Sequence, residues 1–187
     1  MSDAPVRLLC VTGSMREASC SMAVCRHVAA TDDAEVRIAD PRLLQLPMYE
    51  PYVGVDHFGE AAPRIEELLS LFRWCEVMLW VTPTYHGTVS GAFKNMLDFA
   101  EFLCDDPAPY LQGKATGMVA INDSTPFAAM RDCARELRCW VAPTHIEIME
   151  SEFEPGPVLT QTKALGRLTR LVGELARFNL VSEGSVS

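Results

Sequence analysis

Three stretches of the chain are nearly unbroken apolar runs: residues 6–11, 77–81 and 116–121. Two shorter stretches, residues 35–39 and 145–149, also read as strands, the second with a weak in-and-out alternation. Between them the apolar positions change to a helical spacing. Cys20, Val24 and Val28 share one face of a helix expected over residues 19–30. Ile65, Leu68, Leu69, Phe72 and Cys75 mark a second helix that starts near Pro63, a residue suited to a first helical turn. Phe93, Met96, Leu97, Ala100 and Leu103 mark a third, with Lys94 and Asp98 placed to pair on its surface. Phe127, Met130, Ala134 and Leu137 mark a fourth, and Leu165, Leu168, Val172 and Leu175 a last. Residues 40–59 carry Pro41, Pro47, Pro51 and two glycines and read as an irregular loop; residues 152–157 read as a polar, proline-rich one.

Strand and helix therefore alternate five times. Strands that are apolar on both sides belong in a parallel sheet covered by helices on both faces. The expectation is an α/β fold, a doubly wound five-stranded parallel sheet in a three-layer α/β/α arrangement. Such sheets bind ligands beyond the carboxyl ends of their strands. No repeat, low-complexity tract or linker divides the chain, so residues 1–187 read as a single domain.

Composition narrows the function. Of 187 residues, 49% are hydrophobic and 22% charged, the balance of a globular protein. The net charge of -9 argues against a nucleic-acid surface or an anionic membrane as partner. It leaves room for a small anionic ligand, because one arginine and a helix N-terminus act locally. Seven cysteines without a C-x-x-C spacing read as small apolar side chains in a reducing cytosol, and no Cys/His spacing suggests a metal site. The N-terminus lacks the basic region of a signal peptide, and no apolar run is long enough to span a bilayer. A cytoplasmic location is expected.

Candidate chemistry sits in the loops after the strands. Residues 11–21 read VTGSMREASCS. Gly13 permits a tight turn, Ser14, Ser19 and Ser21 offer hydroxyls, Arg16 offers a positive charge, and the following helix starts with free N–H groups. That set suits a phosphate. Neither G-x-G-x-x-G nor a P-loop is present. A plainer reading makes Ser19 a helix cap and Arg16 a solvated surface charge. After the third strand, Pro83, Thr84, Tyr85, His86 and Gly87 combine backbone donors with flat side chains, which suits a planar heterocycle. The plainer reading there is sheet-edge packing for Tyr85 and a solvated imidazole for His86. A phosphate loop and a planar-ring loop together suggest a mononucleotide.

The segments GSMREASCS and PTYHGTVSGAFKNMLDF resemble the two signatures of the NAD(P)H-dependent FMN reductase family, and LPMY at residues 46–49 resembles its L-P-x-Y segment. The resemblance implies a flavodoxin-like fold with FMN as cofactor and NAD(P)H as co-substrate. It implies that Ser14, Arg16, Ser19 and Ser21 hold the FMN phosphate and that Pro83, Thr84, Tyr85, His86 and Gly87 border the isoalloxazine ring. Lys94, Asn95 and Asp98 are assigned to helix shape and a subunit contact, and the protein to a homodimer or homotetramer. Three departures stand out. The family often has Asn where this chain has Ser21 or Met22, and again where it has His86. The loop after the fourth strand is commonly glycine-rich, whereas residues 121–127 here read INDSTPF. Ser124 is the candidate flavin contact in that loop; a cap on the fourth helix is the alternative.

The resemblance implies an oxidoreductase that passes electrons from a reduced nicotinamide through flavin to a small-molecule acceptor: a quinone, free flavin, an azo compound or a metal oxyanion. Because the cofactor carries the redox chemistry, no catalytic side chain is assigned. Two alternatives remain at this stage: a flavodoxin-like carrier or flavin-binding module with little turnover, and a non-flavin member of the fold.

Overall fold

The computed structural model of the chain describes residues 5–31 and 34–183. Strand β1 (Val6–Thr12) leads to helix α1 (Cys20–Ala29), and β2 (Ala34–Ala39) to a one-turn helix α2 (Pro41–Leu44). Helix α3 (Ala62–Trp74) precedes β3 (Val77–Pro83), and α4 (Gly91–Asp98) precedes β4 (Ala115–Ile121). Helix α5 (Pro126–Glu136), strand β5 (Trp140–Ile148), a short antiparallel pair β6 (Phe153–Glu154) and β7 (Val158–Leu159), and helix α6 (Thr162–Glu183) complete the chain. The five long strands are parallel in the order β2-β1-β3-β4-β5, the flavodoxin-like order.

Strand pleating divides the core in two. Leu9, Val11, Met78, Trp80, Met118 and Ala120 face one apolar layer with Ile65, Phe72, Phe93 and Phe127 from α3, α4 and α5. Leu8, Cys10, Val77, Leu79, Val81, Val119 and Ile121 face the other, with Val24 and Val28 from α1 and Leu168, Leu171 and Leu175 from α6. Strands β3 and β4 are buried on both sides, which is why their sequences do not alternate.

Departures from the sequence reading have local causes. Strand β5 is nine residues long rather than five, because it lies at the sheet edge and its first half faces solvent with mixed polarity. Helix α4 ends at Asp98, and the chain tightens into a 3-10 turn over Phe99–Leu103 that keeps Leu103 buried. The loop of residues 40–59 contains structure. Asp40 caps α2 by accepting from the Arg42 N–H at 2.9 Å, and a 3-10 turn spans Val55–Ala61. The expected loop at residues 152–157 holds the short strand β6 and the turn that joins it to β7.

All seven cysteines are free thiols, and burial pushes Cys75 up to about 11 and Cys139 up to about 12, so neither is a thiolate near neutrality. Among the described residues no helix is long and apolar enough to cross a membrane, and no cluster of three metal-binding side chains occurs.

Candidate functional site

The order of the strands reverses between β1 and β3, and the loops that leave these two strands emerge side by side at the carboxyl edge of the sheet. Gly13 binds the edge directly, its N–H donating to Val81 O at 2.8 Å. Its role is close approach rather than the tight turn expected of it. A Cβ there would stand 2.8 Å from Ser90 Oγ, 2.9 Å from Phe93 Cβ and 2.9 Å from Thr82 Oγ1. Ser90 is the N-cap of α4: its hydroxyl accepts from the Phe93 N–H at 3.1 Å and donates to Gly13 O. The Ser90 N–H in turn donates to Thr82 Oγ1 at 3.2 Å. Thr82, Ser90 and Gly13 thus lock the two loops together, a task the sequence reading did not assign to either side chain. Ser90 directly ahead of a helical run was its only local signal.

The β1 loop presents the hydroxyls expected of it. Ser14, Ser19 and Ser21 are all buried. Ser14 Oγ accepts from the Arg16 N–H at 3.2 Å, and Ser19 caps α1 by accepting from the Met22 N–H at 3.0 Å. The cap leaves Cys20 and Ser21 as first-turn donors without an intrahelical acceptor. No acidic residue lies in that first turn. Thr12 Oγ1, at the end of β1, is buried without a hydrogen-bond partner. Met22 turns its side chain into the α1–α6 core, and its N–H is already bonded to Ser19. Burial pushes the Cys20 thiol up, and the Glu150 carboxylate adds to that against the opposing Arg16 charge, so the loop carries a neutral thiol.

Arg16 is the exposed member of the set. Its side chain is 69% accessible and lies 3.8 Å from Glu150 Oε1. Glu150 follows β5, two strands away from β1's neighbour β3 in the sheet, and sequence spacing could not have joined the two. Asn122 holds Glu150 in place: its side-chain oxygen accepts from the Glu150 N–H at 2.6 Å.

The β3 loop is a tight turn. The Tyr85 N–H donates to Thr88 O at 3.0 Å and the Thr88 N–H to Tyr85 O at 3.2 Å. The two central residues, His86 and Gly87, have φ of 51° and 80°, the pattern of a type I′ turn, which Asn-Gly fills most readily. His is tolerated there at some strain. Pro83 ends the strand opposite Ile121. Thr84 ties the turn to the next loop, its Oγ1 lying 2.9 Å from Ile121 O and 3.2 Å from Asp123 O. Tyr85, His86 and Gly87 are all exposed, so the turn leaves its outer face open.

The glycine-free fourth loop solves its geometry with Asn122, which takes the left-handed conformation at φ 75°. Asp123 accepts from the Thr125 N–H at 2.7 Å, and that bond holds its carboxyl below the usual carboxylate range. Ser124 is exposed, and its hydroxyl does not cap α5, whose N-cap residue Thr125 makes no side-chain cap bond either. Asn95 ties α4 to an earlier segment of the chain. Its amide accepts from the Tyr49 N–H at 2.8 Å and donates to Pro47 O at 2.8 Å, pinning the segment 46–49 against α4. Lys94 and Asp98 pair on the α4 surface as the spacing implied.

The donor set fits a phosphate monoester. Three buried serines, first-turn amides, a nearby guanidinium and an orphaned buried threonine hydroxyl gather at the carboxyl end of β1, beside a turn with an open face suited to a planar ring.

Comparisons with known proteins bear on this geometry. Residues 6–149 match the family model described as NADPH-dependent FMN reductase. An NADPH-dependent FMN reductase ArsH from Acidithiobacillus ferrooxidans is 29% identical over 98% of this chain and 78% of its own length. An FMN-dependent NADPH-azoreductase from Staphylococcus aureus is 27% identical over 78% of each chain. Among solved structures, the flavoenzyme NAD(P)H:(acceptor) oxidoreductase FerB from Paracoccus denitrificans superposes with a TM-score of 0.72 at 17% identity, covering 94% of this chain and 98% of its own, a likeness of fold.

Proposed function

The chain belongs to the NADPH-dependent FMN reductase family, and we propose that it holds the FMN phosphate in the loop after β1 and the isoalloxazine ring against the turn after β3. It is an FMN-dependent NAD(P)H oxidoreductase, which sets aside the carrier and non-flavin alternatives. The observation that carries the placement is the lock between Gly13, Thr82 and Ser90, which holds a phosphate-type donor set and an open left-handed turn at one switch point.

In this reading Ser14, Ser19, Ser21 and the first-turn amides of α1 bind and orient the phosphate, with Arg16 closing over it from solvent. Met22 seals the base of the loop through its core packing. Pro83, Thr84 and Tyr85 set the ring's edge, Gly87 offers a position without a side chain against it beside the His86 imidazole, and Ser124 stands at the far rim. FMN held there would supply the redox chemistry, hydride acceptance from NAD(P)H and electron transfer to an acceptor. The protein's task is to leave one face accessible, and the exposure of Tyr85 (45%), His86 and Gly87 supports that.

The acceptor is proposed to be a flat, electron-poor small molecule, such as a quinone or an azo compound, that uses the face the nicotinamide vacates. Free flavin and a metal oxyanion are the other candidates. One shared site predicts ping-pong kinetics. The test is anaerobic stopped-flow on FMN-loaded protein: NADPH or NADH should bleach the flavin absorbance, and a quinone should restore it. A tightly held flavin that stays oxidised under excess NADH and NADPH would remove the proposed open face. Residues 1–187 are proposed as one FMN-binding domain, in the cytoplasm, assembling as a homodimer or homotetramer, which light scattering would decide.

A further inference from the structure

At the opposite edge of the sheet, where β4 and β5 begin, lies a surface cavity of about 490 Å³ with a different chemistry. Arg131 and Arg135 of α5, Arg138 just beyond that helix, and Gln112, Trp140 and Val141 line it. Seven strand residues separate it from the proposed flavin edge, roughly 20 Å along β4. Three guanidinium groups around one cavity are unexpected in a chain of net charge -9. Arg135 pairs with Glu136 at 2.8 Å. Among the described residues, no carboxylate comes within ion-pair distance of Arg131 or Arg138. Arg131 and Arg135 are also four residues apart on α5, a spacing at which like charges repel.

A plain reading is that basic residues near a helix C-terminus answer the helix dipole. Arg138 argues for more. The Cys139 N–H returns to Ala134 O at 2.8 Å, closing α5 with a Schellman-type turn, and Arg138 occupies its left-handed position at φ 63°. Glycine fills that position at least cost, so the chain accepts backbone strain to place a guanidinium there. The side chain is then fixed: it donates to Gln112 Oε1 at 3.1 Å and lies 5.3 Å over the Tyr110 ring. The rim is stitched by Gly113 N–H to Arg138 O at 3.4 Å and Trp140 N–H to Lys114 O at 2.9 Å. Trp140, 63% exposed, gives this cationic cavity a broad aromatic surface, with Val141 beside it.

We propose that this cavity is a second ligand site, taking a flat aromatic molecule that carries an anionic group. The anion pairs with Arg138 and Arg131, and the ring lies against Trp140. The test uses full-length, FMN-loaded protein and naphthalene-2-sulfonate, which carries the required chemistry and is no acceptor for the flavin. The probe should quench tryptophan emission saturably without changing the flavin absorbance, and 2-methylnaphthalene, which lacks the charge, should not. Trp140→Phe should abolish the saturable quenching. Arg138→Gly should weaken binding at least tenfold while the thermal midpoint stays level or rises, an outcome that a purely structural arginine would not give. Arg131→Gln, which alters no turn, should weaken it severalfold and decides the question if Arg138→Gly folds poorly. The proposal is overturned by affinity within twofold of the parent in both arginine variants. It is equally overturned by quenching that persists in Trp140→Phe, or by the absence of saturable quenching in the parent.

Discussion

Arg16 and Glu150 set the balance of charge at the proposed phosphate loop. Their 3.8 Å pairing is between two exposed side chains, so it stabilises the fold by no more than about 1 kcal/mol. Its consequence is competitive: an incoming phosphate meets Arg16 with a carboxylate beside it, and Asn122 fixes that carboxylate's backbone. Two substitutions separate the contributions. Arg16→Ala removes a charge-assisted bond, worth about 1.5 kcal/mol at the exposed end of the usual range, and FMN affinity should fall about tenfold. Glu150→Gln removes the competing charge and should tighten FMN about two- to fivefold. Fluorescence titration of both variants checks the pair. Unchanged affinity in Arg16→Ala would return that residue to the role of a solvated surface charge.

At the scale of elements, the turn after β3 and the lock beneath it divide the work. The lock is steric and buried: Gly13 lets α4 approach because no Cβ intervenes, and Ser90 caps α4 while binding the β1 loop. The turn is conformational and exposed. A Cβ on Gly87 would meet no atom within 4 Å, yet φ of 80° disfavours any side chain, above all a β-branched one. Gly87→Val should therefore strain or rearrange the turn by about 1–3 kcal/mol and reduce flavin retention while circular dichroism stays native. Gly87→Asn, which tolerates left-handed geometry, should keep most of the flavin. Equal retention in the two variants would show that the ring does not depend on this turn's shape.

For the whole molecule, the net charge of -9 opposes the approach of a polyanionic nicotinamide dinucleotide. Local positive potential at Arg16 and the α1 N-terminus acts over a short range, whereas the excess of carboxylates acts over the Debye length, about 10 Å at 0.1 M salt. The second-order rate constant for reduction of FMN-loaded protein by NADPH should accordingly rise as salt goes from about 10 to 150 mM. Stopped-flow at several salt concentrations measures it. A rate that falls steadily instead would show that the local cationic potential governs encounter.

Periodicity alone determined the alternation of strands and helices, because strands buried on both faces write apolar runs and one-sided helices write a 3.6-residue stripe. It also placed the first and third loops at one edge, since parallel strands must all end on the same side. The donor types of residues 14–21 were legible for the same reason: a cap and a first helical turn are made by neighbours in the chain. The left-handed turn at His86 and Gly87 was not read from the sequence, where the segment offered only backbone donors and flat side chains. Tertiary structure decided the rest. The length of β5 depended on its place at the sheet edge, where half-exposed positions carry no clear pattern. The Gly13–Ser90 contact spans 77 residues, Asn95 reaches 46 residues back to Tyr49, and Arg16 meets Glu150 across the sheet. The three arginines of the distal cavity come together with Trp140 only when α5 closes with its left-handed turn against the start of β5. Such contacts are selected by the packing of whole elements, and sequence spacing holds no record of which elements become neighbours.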